Sequence, residues 1–154
     1  MSGVERPSVD DLEYPLGPFP GLDTHIGLMI DELTTDRVVG HVDLGPQHHQ
    51  PFGIVHGGVY CSIVEDVASR GAGHAALARG QRGVVGVANA TDFLRSHGAG
   101  WLEAIGEPVH VGRSQQLWQV VIRRESDGAL VARGQVRFHV LDELPAERRA
   151  RDAR

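Results

Sequence analysis

Residues 57–77 place the strongest constraint on what this chain can fold into. Val59, Ile63, Val67 and Ala68 recur there at helical spacing, which predicts one long helix. Gly71 and Gly73 weaken its middle, and Gly80 marks a stop. The flanking sequence reads as strand. Two candidates, 27–33 and 37–44, precede the helix and are joined by Thr34, Thr35 and Asp36. Four more follow it, at 83–94, 101–111, 115–125 and 129–141. Alternation is clearest in Val120 and Ile122 and in Val136, Phe138 and Val140. Ser126, Asp127 and Gly128 form a compact hairpin turn. A single long apolar helix cannot hide from water alone. A curved antiparallel β-sheet wrapped around it, an α+β architecture, is the economical solution.

With 154 residues and 41% hydrophobic composition, the chain suits one globular domain with a real core. Residues 1–20 form an arm in which Pro7, Pro15, Pro18 and Pro20 discourage regular structure. The domain is expected to span 21–141, with a charged tail at 142–154 that frays. No apolar run is long enough to cross a bilayer and the N-terminus lacks an apolar signal core, so no membrane partner is expected. Cys61 is the only cysteine, which fits a reducing, cytoplasmic location. A net charge of -5 argues against nucleic acid as a partner. All fifteen basic residues are Arg, the side chain that makes forked contacts to phosphate.

Chemistry concentrates between Gln50 and Ser69. Glu65 lies two turns into an otherwise apolar helix, where a carboxylate either faces solvent or is buried for a reason. Burial raises the pKa of a carboxylate and makes it a better base. Ser69 is one turn further on the same face, placed to hold the carboxylate or an attacking water. His56-Gly57-Gly58 opens the helix, where free N–H groups and the helix dipole point outward. Glycine there lets a carbonyl approach the backbone, as an oxyanion site requires. Gln50 can add a side-chain donor to the same oxygen. Each residue alone has a plain structural explanation: a solvent-facing Glu, a turn Gly pair, a loop-orienting His, a packing Ser. Together, at this spacing, all five are much less easily dismissed. Cys61, one turn before Glu65, is read as a packing residue. His48-His49 lacks a third ligand at recognisable spacing, so no metal is expected. There is no P-loop, no dinucleotide fingerprint and no G-x-S-x-G elbow.

Gln50-Pro51-Phe52-Gly53, His56-Gly57-Gly58, Glu65 and Ser69 together resemble the 4-hydroxybenzoyl-CoA thioesterase family. The spacing is most similar to the branch holding the phenylacetate-pathway and 1,4-dihydroxy-2-naphthoyl-CoA thioesterases. Asn89, Phe93-Leu94-Arg95-Ser96, His110-Val111-Gly112-Arg113-Ser114 and Trp118 extend the likeness, which runs from about Gly21 to Leu141. The resemblance implies the hotdog fold and hydrolysis of an acyl-CoA, aromatic or medium-chain, with no cofactor beyond the CoA of the substrate. It implies that Glu65 is nucleophile or general base, that the Gly57 N–H with Gln50 polarises the thioester carbonyl, that His56 supports that loop and that Ser69 assists Glu65. Phe93, Arg95, Ser96, Gly112, Arg113 and Ser114 match positions that line the CoA arm. It further implies a homo-oligomer, a dimer of dimers, with each site shared between subunits. A hotdog hydratase or dehydratase and a non-catalytic acyl-CoA binder are the alternatives; the set of Gln50, Gly57, Glu65 and Ser69 fits hydrolysis better than hydration, and the intact Glu65 argues against the binder.

Overall fold

The computed structural model describes residues 21–143 and 145–153; the expected arm at 1–20 lies outside the described residues. Helix α1 (Leu22–Ile26) leads into strands β1 (Met29–Leu33) and β2 (Val38–Leu44). After a 3-10 turn at Pro46–His48 comes the long helix α2 (Gly57–Ala78). Strands β3 (Gly83–Phe93), β4 (Gly100–Val111), β5 (Gln115–Arg124) and β6 (Leu130–Leu141) follow, and α3 (Pro145–Asp152) ends the described chain. The strands form one antiparallel sheet in the order β1-β2-β4-β5-β6-β3, wrapped around α2 in the hotdog arrangement. The β-elements and the long helix fall within two residues of the expected bounds.

Two elements depart from the expectation. The five-residue α1 has too few residues to show a helical period. The charged end, read as frayed, forms α3, where Arg82 reaches Glu147 and Arg151 bonds Glu143 at 2.7 Å.

The core follows from alternation. One sheet face buries Leu102, Ala104, Val120, Ile122, Val136 and Phe138 against Ile63, Val64 and Val67 of α2. Each fully buried large aliphatic of this kind contributes roughly 1.5–3 kcal/mol. Gly71, which by propensity weakens the helix, is required by packing. A Cβ there would overlap the Trp118 ring, which crosses beneath the helix. Buried Gln116 accepts from Trp118 Nε1 at 2.8 Å and donates to Ala72 O at 3.1 Å, so this contact leaves the indole and both ends of the Gln116 amide satisfied.

Among the described residues, β3 is an edge strand, paired only to β6. Its Val85 and Val87 are exposed, Val87 at 58%, and Phe52 in the loop before α2 is 91% exposed. A strand edge flanked by bare apolar side chains is the kind of surface that a further strand covers.

Candidate functional site

The entrance of α2 is built by His56. Its Nδ1 accepts the Gly58 N–H at 2.9 Å, capping the helix and leaving Nε2 as the outward nitrogen. The Gly57 N–H, first of the helix, has no acceptor among the described residues. The Phe93 ring from the end of β3 lies against Gly57, where any Cβ would overlap it. Phe93 therefore floors the helix entrance, with its ring centroid 5.8 Å from that of Tyr60. Gln50 anchors the preceding loop: its N–H donates to Ile54 O at 2.8 Å and its O accepts from Gly53 at 3.0 Å. Its side-chain Oε1 accepts from the Phe52 N–H, which leaves Nε2 as the donor end.

Glu65 is half-buried on α2 and faces β3. Asn89 Nδ2 donates to Glu65 Oε2 at 3.0 Å and to Cys61 O at 3.1 Å, while Thr91 Oγ1 donates to Asn89 Oδ1 at 2.7 Å. The other carboxylate oxygen, Oε1, fills the space a side chain at Gly86 would take. The β3–β6 register shifts between Gly86 and Ala88, and this bulge falls beside the carboxylate. Glu65, Ser69 and Asn89 line a cleft of about 360 Å³ whose other wall is α1, through Leu22 and Ile26, with Leu28 beyond. Ser69 shares the cleft, but Asn89 holds the carboxylate. Asp66, the neighbouring acid, is half-buried and bonded to Arg70. Burial pushes the Asp66 carboxyl above its ordinary range, against the opposing charge of Arg70.

Eight residues of helix separate Gly57 from Glu65, about 12 Å along the axis. The two cannot act on one carbonyl within a single protomer.

The expected CoA-arm residues divide into two groups. Arg95 and Ser96 follow β3 at the end of the sheet where Arg95 N bonds Val131 O. Gly112, Arg113 and Ser114 form the β4–β5 turn, where Ser114 O accepts from Val140 N. Residues 131 and 140 are separated along β6 by about 30 Å at strand rise. The resemblance implies one set; in one protomer the two groups lie at opposite ends of β6.

Gly86 and the α1 wall were not singled out in the sequence, and Asn89 carried no role there. A polar Asn in an apolar strand is a signal; a Gly that admits a distant carboxylate is not. Tyr60 is buried beneath the entrance with its hydroxyl unpartnered among the described residues. Burial pushes its phenol up to about 12, against a smaller pull from Arg124.

Residues 52–131 match the family model described as thioesterase superfamily. The Mycobacterium tuberculosis protein named "Putative esterase Rv1847" is 43% identical over 141 residues, covering 91% of this chain and 99% of that protein. Its solved structure superposes with a TM-score of 0.76, covering 80% of this chain and 98% of that one. A Listeria monocytogenes 1,4-dihydroxy-2-naphthoyl-CoA hydrolase is 34% identical over 71% of this chain and 88% of its own length. The structure of thioesterase HI1161 from Haemophilus influenzae matches at 28% identity with a TM-score of 0.72, covering 79% of this chain and 83% of that one.

Proposed function

Because the chain belongs to the thioesterase superfamily and is a thioester hydrolase of hotdog fold, we propose that it hydrolyses an acyl-CoA to the free acid and CoA, with Glu65 as its working carboxylate. The observation that carries this reading is the carboxylate itself. It is held at one oxygen by Asn89, admitted at the other by Gly86, and opens on a cleft with an apolar wall. The Listeria relative's name supports an aromatic acyl group, and a medium-chain acyl group suits the same wall.

In this reading Glu65 takes a proton from water, and the hydroxide adds to the thioester carbon. The developing oxyanion accepts the Gly57 N–H, with Gln50 Nε2 beside it. Collapse of the tetrahedral intermediate breaks the C–S bond, and the thiolate leaves as CoA-SH with the proton that Glu65 took from water. Direct attack by Glu65 uses the same groups but forms a mixed anhydride that water then opens. Label found in the protein after a single turnover in ¹⁸O-water marks the second route, because it arises from anhydride hydrolysis at the Glu65 carbonyl.

The oxyanion half of each site comes from a partner. The 12 Å separation along α2 supports this, as do the bare edge of β3 and exposed Phe52. Antiparallel pairing of two β3 edges sets the Phe93 end of one strand beside the Gly83 end of the other. It thereby brings Arg95 of one protomer towards Arg113 of the other, two cations for the phosphates of CoA. Two such dimers then form the tetramer.

A panel of acyl-CoAs tests class and substrate together, with thiol release followed for each and hydration followed for a crotonyl thioester. Thiol release on aromatic or medium-chain substrates is the expected result. Hydration without thiol release overturns the assignment.

A further inference from the structure

The wall of the Glu65 cleft has a fastening that the hydrolytic chemistry leaves unused. α1 contributes Leu22 and Ile26, and Leu28 follows it; Cys61, Ser62 and Ser69 of α2 line the opposite side. A five-residue helix has no stability of its own, so its place must be fixed by contacts. Two side chains supply the polar part of them: His48 Nε2 bonds Ile26 O at 2.9 Å, and Arg70 ties α1 to α2 through an acid of each. Arg70 Nη2 bonds Asp23 Oδ2 on α1 at 2.6 Å, and its Nε bonds Asp66 Oδ2 on α2 at 2.9 Å. The two bonds use different nitrogens of one planar fork, which fixes direction as well as distance. All three side chains are half-buried, so water screens them less than it screens surface pairs.

We propose that the Arg70–Asp23 pair is a latch that fixes α1 as the wall limiting acyl bulk, and that the cleft selects an uncharged acyl group. Among the described residues, Asp23, Glu65 and Asp66 set three carboxylates against the one guanidinium of Arg70, so the described lining of the cleft is acidic. An acyl chain ending in a free carboxylate meets repulsion there. That the occupant is an acyl group rests on the thioesterase reading; the wall and the charge do not. Arg70 and Asp23 are positioning residues, acting through α1.

The test uses Cys61, the only cysteine of the chain, which lines the same cleft. Its labelling is timed with methyl and benzyl methanethiosulfonate, and with the cationic trimethylammonioethyl and anionic sulfonatoethyl reagents, each normalised to its rate with a free thiol. In the wild type the benzyl reagent is slower than the methyl. The cation outpaces the anion by on the order of tenfold. Asp23→Asn and Arg70→Met free the wall and raise the benzyl-to-methyl ratio by on the order of tenfold. Asp23→Glu, which keeps the charge, returns the ratio towards wild type. Thr24→Ala, on the exposed side of α1, leaves the ratio unchanged. In turnover the same two latch variants shift kcat/KM towards bulkier acyl-CoAs, chiefly through KM. An unchanged benzyl-to-methyl ratio in both overturns the latch, and an anion as fast as the cation overturns the charge selection. If the wild type releases thiol from no acyl-CoA, the thioesterase reading fails, and the labelling ratios still decide the wall.

Discussion

The side-chain amide of Asn89 on β3 spans Glu65 and Cys61 of α2, donating to the Glu65 carboxylate at 3.0 Å and to the Cys61 carbonyl at 3.1 Å. Thr91 occupies its carbonyl end, so the amide has one orientation in which all three bonds form. Strand and helix are thereby joined at the carboxylate. Asn89→Ala removes the donor, and kcat is expected to fall roughly 10- to 100-fold, less than the loss of a donor to the oxyanion itself. Asn89→Asp is expected to fall further, because it sets a second carboxylate against the first. Steady-state thiol release on the two variants checks both.

Gly86 gives a steric test of the same geometry. It adopts an ordinary negative φ, so alanine fits the backbone, but its methyl occupies the position of Glu65 Oε1. Gly86→Ala is expected to cost at least about tenfold in kcat by displacing the carboxylate. The atoms nearest that methyl all belong to the Glu65 side chain, which can move, so the melting temperature is expected to stay within a few degrees of wild type. Activity and thermal melts on one preparation check the split.

A shared site is open to complementation. Gln50→Ala weakens the oxyanion half and Glu65→Gln removes the carboxylate half, so each homo-oligomer is expected to be crippled. Unfolding and refolding the two together makes mixed dimers with one intact site. Activity is then expected to recover to about one quarter of wild type, from statistical pairing in a two-fold dimer. A mixture no more active than the sum of its parts places both halves in one protomer.

Tyr60 governs alkaline stability. Its phenol is pushed up to about 12 by burial, whereas the unfolded chain titrates near its ordinary value of 10.0. Between these values the folded state holds the proton that the unfolded state has lost, so stability falls as pH rises from 10 towards 12. Tyr60→Phe is expected to remove that part of the slope. At neutral pH it is expected to cost little, because the hydroxyl has no partner among the described residues. Urea unfolding at pH 8, 10 and 11.5 compares the two proteins.

What the sequence discloses here is local periodicity and spacing. Val59, Ile63, Val67 and Ala68 mark α2, and Val136, Phe138 and Val140 mark β6, because each pattern spans enough residues to repeat. α1 is too short for that. Gly71 reads as a weakness, since Trp118 arrives beneath it from a strand far along the chain. Glu65 is legible as a carboxylate in an apolar helix, and Ser69 is its visible neighbour in sequence. Its observed partner, Asn89, comes from a strand 24 residues later. Arg95 and Arg113 look like one phosphate-binding set until the order β5-β6-β3 sends them to opposite ends of the sheet. Contacts of this kind depend on topology, which spacing does not encode.

The central claim concerns Glu65 and is tested by one comparison. Thiol release from the best acyl-CoA of the panel is measured for wild type and Glu65→Gln, with circular dichroism confirming that both are folded. The glutamine retains the shape and can still accept from Asn89, but it has neither a base nor a nucleophilic oxygen. The expected result is a loss in kcat of roughly 10²- to 10⁴-fold with KM little changed. A Glu65→Gln enzyme that turns over within a few-fold of wild type contradicts the account.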